Sequence, residues 1–198
     1  RVSNLNGSSS YTIREVKTVD GYYYFEDITT DTTEDGKNQS ATAVDNSINY
    51  QIAKVDDNGD YVQGVTLKLT DITDAENPVE VELPNNGITT NEPFKLDKKL
   101  IAEHTYELVE SEYVAGVYKA TNITFTVPKY GTSEVTTITM MDETTNITVK
   151  KVDNYGKPVA GALMQILVPE TEEVVYEFTS TDDEHGSDIS KHVKGGER

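Results

Sequence analysis

The sequence predicts an all-β chain built of repeated units, and three observations carry that prediction. Apolar residues alternate with period two from end to end, as in Val65, Leu67, Leu69, then Ile123, Phe125, Val127, then Ile138, Met140. No stretch of a dozen residues keeps a 3.6-residue apolar spacing, so helix should be scarce. One sentence is also written twice. Tyr50-Gln51-Ile52-Ala53-Lys54-Val55-Asp56-Asp57-Asn58-Gly59 returns as Ile147-Thr148-Val149-Lys150-Lys151-Val152-Asp153-Asn154-Tyr155-Gly156. The offset is 151 − 54 = 97, and it holds for Gly59/Gly156, Val62/Val159 and Gly64/Gly161. A period of this size is that of a small domain.

The elements follow in order. Residues 1–46 read as the second half of a unit, because Tyr11-Thr12-Ile13-Arg14-Glu15 corresponds to Tyr106-Glu107-Leu108-Val109-Glu110. Each is followed by a Gly and a Tyr, Gly21-Tyr22 in one and Gly116 with Tyr118 in the other. Residues 47–143 read as one complete unit, with strands expected near 48–55, 62–70, 78–83, 91–96, 104–111, 121–128 and 134–142. Turns are expected at Asp57-Asn58-Gly59, Pro84-Asn85-Asn86-Gly87 and Pro128-Lys129-Tyr130-Gly131. Residues 144–198 read as the first half of a further unit. Arg1-Val2-Ser3-Asn4-Leu5 and Gly195-Gly196-Glu197-Arg198 both look like the approach to a Tyr-x-Leu-x-Glu strand.

Composition narrows the function classes. The formal charge of −18 argues against nucleic acid or an anionic membrane as partner, since both need clustered Lys and Arg. Zero cysteines exclude disulfides and thiolate metal sites. No cofactor is expected. Asp56-Asp57-Asn58-Gly59-Asp60 offers oxygens of a calcium-binding kind, but its Gly is misplaced for an EF-hand and its counterpart at 153–156 lacks the ligands. A hairpin turn is the expected reading. His104, His185 and His192 have no ligand spacing and are expected at the surface. No nucleophile–base pair or phosphate loop for an external substrate is visible, so turnover catalysis is not expected.

Ionisable residues on apolar strand faces are the candidates for chemistry. Lys54 shares a face with Ile48, Tyr50 and Ile52, and Lys151 with Ile147 and Val149. Glu110 shares one with Tyr106 and Leu108, and Asp142 with Ile138 and Met140, whereas Glu143 should face solvent. An unpaired buried ammonium is very costly, so the inward lysine calls for partners.

Lys-Val-Asp-x-x-Gly followed by Val-x-Gly-Val or Val-Ala-Gly-Ala, then Tyr-x-Leu-x-Glu, then Ile-Thr-Phe-Thr-Val, resembles the CnaB-type (Cna protein B-type) domain. Such domains build stalks of Gram-positive surface adhesins and shafts of sortase-assembled pili. The resemblance implies a seven-stranded immunoglobulin-like or transthyretin-like β-sandwich, repeated in tandem. It also implies a spontaneous isopeptide bond from a first-strand Lys to an Asn or Asp on the last strand, promoted by the Glu. Carried over, Lys54 is the nucleophile, Glu110 the promoter and Asp142 the acceptor.

That chemistry needs these residue types. A lysine amine is a poor nucleophile while protonated, and burial favours the neutral amine and neutral carboxyls alike. The promoter can then shuttle protons while the amine attacks and water leaves. Fixed strands supply the effective concentration. The event occurs once per unit and is not turnover.

The flanks carry matching parts, with Lys151 as nucleophile and Glu15 as promoter of neighbouring units. The acceptor matching Glu15 is Asp45 by the 97-residue offset, while apolar alternation with Val44 would turn Asn46 inward.

A structural stalk or pilus-shaft module of a wall-anchored surface protein is the expected function, with neighbouring repeats of the same polypeptide as partners. Two alternatives remain open. The chain could be an adhesin module binding a host protein or glycan through its loops, with Tyr22-Tyr23-Tyr24 the aromatic run to examine. Or residues 144–198 of one copy could complete residues 1–46 of another, giving a head-to-tail polymer, against the reading as a stretch of a longer array.

Overall fold

The computed structural model describes residues 9–31 and 40–195. The stretches at 1–5 and 196–198 compared above lie outside the described residues. Thirteen strands and two short 3₁₀ turns form the described chain. The first two strands are β1 (Ser10–Ile13) and β2 (Ile28–Asp31). The central seven are β3 (Asn49–Asp56), β4 (Thr66–Asp71), β5 (Val79–Val81), β6 (Phe94–Lys95), β7 (Thr105–Glu112), β8 (Ile123–Thr126) and β9 (Val135–Asp142). The last four are β10 (Thr148–Val149), β11 (Leu163–Leu167), β12 (Val174–Thr179) and β13 (Ser187–Asp188).

The central seven strands make two sheets, one ordered β6-β3-β9 and the other β5-β4-β7-β8. Period-two alternation buries one face of each: Tyr50, Ile52 and Met140 from the first sheet join Leu67, Leu69 and Leu108 from the second in one core. Tyr50 and Tyr106 each stack with the Phe125 ring, at 5.8 Å and 5.6 Å between centroids. The first and last strands, β3 and β9, lie side by side and parallel, with Ile52 opposite Ile138 and Lys54 opposite Met140. Leu108→Ala, at a fully buried position in β7, should cost about 2–5 kcal/mol through the lost transfer energy and the cavity left behind. A lower urea midpoint at unchanged slope is the expected reading.

Several strands are shorter than expected, and one expected turn takes a defined form. The strand expected from residue 62 starts at Thr66, because Gly64 takes φ +80° and donates to Thr89 O at 3.0 Å, breaking the ladder. The turn at Pro84–Gly87 is a 3₁₀ turn with Asn85 and Asn86 at positive φ. Gly87 is required there, since a Cβ would run into the Leu67 carbonyl.

The flanking segments form their own ladders. β1 pairs antiparallel with β2, β10 with β13, and β11 with β12. Both dock on the central unit. Tyr23 joins the central core, and Gly195 N–H donates to Val117 O at 2.9 Å. No helix among the described residues is long and apolar enough to cross a membrane.

Candidate functional site

Lys54 continues the buried row of Tyr50 and Ile52 on β3, which Ile48 begins just before the strand, so its ammonium points into the sandwich. On the parallel neighbour β9, Asp56 lies opposite Asp142, which places Asp142 two residues along from Lys54 on the same face. Glu110 comes from the other sheet, opposite Leu67, and crosses the core to meet them. The Lys54 Nζ donates to Asp142 Oδ1 and lies 3.3 Å from Glu110 Oε2. The three side chains are 1%, 0% and 0% exposed. Outside this triad, Glu110 Oε2 accepts the Ala120 N–H at 2.7 Å. Glu110 Oε1 and Asp142 Oδ2 have no hydrogen-bond partner among the described residues.

One cation faces two carboxyls in a dry interior, so full ionisation would leave a net buried negative charge. Burial pushes the Asp142 carboxyl up to about 6; the Lys54 ammonium opposes that rise and the Glu110 carboxyl adds to it. Protonation of the Asp142 carboxyl relieves the excess charge. The arrangement therefore holds an amine against a carboxyl whose protonated form burial favours, with a second carboxyl in reach of both.

The flanking candidates are placed differently. Glu15 is half-buried and its Oε2 accepts the Phe25 N–H at 3.1 Å. Lys151 is half-buried, and its carbonyl accepts Val159 N–H at 3.0 Å, as the Lys54 carbonyl accepts Val62 N–H at 3.0 Å. Asp45 is exposed, while Asn46 Nδ2 donates to Gly131 O at 2.8 Å. Among the described residues no hydrogen bond or ion pair joins Lys151, Glu15 and Asp45 to one another.

The Asp56–Asp60 segment is a turn: Asp56 Oδ1 accepts the N–H groups of Asn58 and Asp60, both at 2.9 Å. Asp153 does the same for Tyr155 and Lys157, at 2.8 Å and 2.9 Å. No cluster of His, Cys, Asp and Glu able to hold a metal occurs among the described residues. His104 departs from the surface expectation, since it is half-buried and its Nδ1 lies 2.6 Å from Asp71 Oδ2. Burial pushes the Asp71 carboxyl up, but hydrogen bonds from Thr73 and His104 outweigh it and hold the group below its usual range. The tyrosine run is taken up internally. Tyr23 is buried, Lys98 donates to the Tyr22 hydroxyl at 2.5 Å, and Lys129 sits over the Tyr24 ring.

Ala120 was not legible in the sequence. Its contribution is a backbone N–H, which leaves no mark on residue type.

Residues 48–143 match the family model described as SpaA, prealbumin-like fold domain. No curated protein matches the chain. Among solved structures, it is similar to a streptococcal ancillary pilin at 18% identity, covering 88% of this chain and 60% of that one with a TM-score of 0.34. A variant of the shaft pilin SpaA from Lactobacillus rhamnosus GG is similar at 14% identity, covering 70% and 63%, with a TM-score of 0.36. The Bacillus anthracis TIE protein is similar at 17% identity, covering 90% and 33%, with a TM-score of 0.37. The chain thus spans less than two thirds of the length of each of these proteins. Residues 48–143 are a SpaA-type prealbumin-like domain, and the resemblance to CnaB-type units drawn from the two repeated motifs holds for this segment.

Proposed function

We propose that this chain is a structural stalk or pilus-shaft module of a Gram-positive surface protein, locked by an isopeptide bond from Lys54 to Asp142. The observation that carries the reading is the buried Lys54–Glu110–Asp142 cluster tying the first strand of the unit to its last. The neutral Lys54 amine attacks Asp142 Cγ, so that an N–C bond forms and a C–O bond breaks. The departing oxygen leaves as water, taking one proton from the carboxyl and one from the amine. Glu110 carries the proton from nitrogen to the leaving oxygen and ends as it began. Burial and strand register supply the proximity that drives the condensation.

The mechanical consequence follows from topology. β3 and β9 are parallel neighbours, and the bond joins residues 88 apart in sequence. Tension entering at Lys54 passes to Asp142 directly, and the chain between them bears none. Without cysteines, the bond takes the part a disulfide would play.

By the same logic Lys151 and Glu15 serve as nucleophile and promoter of the adjoining units. Backbone register favours Asp45 as the acceptor matching Glu15. Asn46 O accepts Tyr23 N–H at 2.9 Å just as Glu143 O accepts Tyr118 N–H at 2.8 Å, which aligns Asn46 with Glu143 and Asp45 with Asp142. The partners are neighbouring units of the same polypeptide. An adhesive role loses its best candidate surface, because the tyrosine run packs against the central unit.

Single-molecule pulling across the chain tests the function. The parent should show no extension from the central unit. Glu110→Gln should release it in a step of roughly 300 Å, the extended length of the freed chain. A step of that size in the parent would contradict the proposal.

A further inference from the structure

The contacts around the promoter recur in two places that differ in sequence. In the central unit Gly116 O accepts Thr145 N–H at 2.8 Å, Val117 bridges Thr144, and Glu143 O accepts Tyr118 N–H. In the preceding segment Gly21 O accepts Ile48 N–H at 2.8 Å, Tyr22 bridges Ser47, and Asn46 O accepts Tyr23 N–H. Each arrangement then ends on a promoter. The Ala120 N–H holds Glu110 Oε2 at 2.7 Å, and the Phe25 N–H holds Glu15 Oε2 at 3.1 Å. Both steps are the same, since 110 − 15 = 95 and 120 − 25 = 95.

Each of these segments is also held from outside, by the unit that follows it. Gly21 N–H donates to Leu100 O at 3.1 Å, and Gly116 N–H donates to Val193 O at 2.9 Å. Lys98 packs against Gly21, and Gly195, 97 residues after Lys98, packs against Tyr118 and donates to Val117 O. Only three residues lie between Gly116 and Ala120, whose amide holds Glu110. That amide belongs to no strand, as Ala120 lies between the end of β7 and the start of β8. The segment is therefore held by residues 143–145, just after β9, on one side and by residues 193–195 on the other, with Val114 and Ala120 packed against the core.

We infer that docking of residues 193–195 on residues 116–118 positions Ala120, whose amide orients Glu110, so that each unit's cross-link forms on arrival of the first half of the next. Ala120 is a positioning residue and the following unit is its support. The inference rests on the isopeptide reading above and adds an order to it. Cross-links form behind the joint as successive units fold, and a unit lacking its successor links slowly.

The test follows water loss with time in freshly synthesised full chain, by intact mass. Gly195→Val drives a side chain into the Tyr118 ring and should slow linking of the central unit roughly tenfold or more, as displaced catalytic geometry does. Trimming the ring in Gly195→Val/Tyr118→Ala removes the two nearest ring atoms but leaves the Tyr118 Cα 2.7 Å from the new Cβ, so it should restore only part of the rate. Gly156→Ala strains a turn of the same terminal segment, where a Cβ meets nothing, and should leave the rate within about twofold. Ala120→Pro removes the amide donor with the joint intact and should slow linking as Gly195→Val does.

A parent that links while Gly195→Val links equally fast overturns the inference and leaves the isopeptide reading standing. Equal slowing by Gly156→Ala, or an unchanged rate in Ala120→Pro, also overturns it. A parent that never loses water overturns both.

Discussion

Glu110→Gln should yield a folded central unit that keeps its full mass and melts roughly 20–30 °C below the parent. Gln preserves the shape and can still accept the Ala120 N–H, and Lys54 and Asp142 remain as a balanced ion pair, so nothing in the packing is removed. What is removed is the proton carrier, and with it the covalent bond. Closing a loop of 88 residues is worth about 4–5 kcal/mol on the chain-entropy model. Each kcal/mol moves the midpoint of a domain of this size by roughly 4–8 °C. Differential scanning calorimetry paired with intact mass reads both quantities from one sample. A variant that still loses water would show that Glu110 is not the promoter.

Lys54→Met should be worse, and its defect should depend on pH. Removing the cation leaves two buried carboxyls facing each other, a loss of about 3–5 kcal/mol beyond the missing bond. In the folded chain the Asp142 carboxyl sits at about 6 against 3.8 for the free side chain, because burial disfavours its charged form. Lys54 pulls that value down, so the variant's lies higher still. The sign follows directly. Between 3.8 and the raised value the folded state holds a proton that the unfolded state has released, so stability is fully present below about pH 4 and declines as pH rises through 6 and beyond. Urea midpoints at pH 4 and pH 8 check it. A midpoint rising with pH would contradict the account of the site.

Much of this was legible in the sequence because strands declare their faces. Lys54, Glu110 and Asp142 each interrupt an apolar row at the period-two position, so their inward direction needs only the alternation rule. That they meet in space needed the topology. The parallel pairing of β3 with β9 and the reach of Glu110 from the opposite sheet join positions 56 and 88 residues apart in sequence. The strand break at Gly64 was hidden because Val62 and Val65 keep an apolar pattern while the backbone turns at φ +80°. The His104–Asp71 contact was missed because its partners lie 33 residues apart with no ligand-like spacing. Contacts made by backbone alone leave the weakest trace. The Ala120 amide and the carbonyls that brace residues 116–118 are available to almost any residue type, so only the folded chain reveals them.

The central claim is a bond between Lys54 and Asp142, and peptide mass spectrometry of the parent chain addresses it most directly. The account predicts an intact mass lower by one water, and a protease digest containing a branched peptide in which the Lys54 segment is joined to the Asp142 segment. Full mass with both segments recovered as separate linear peptides would contradict it.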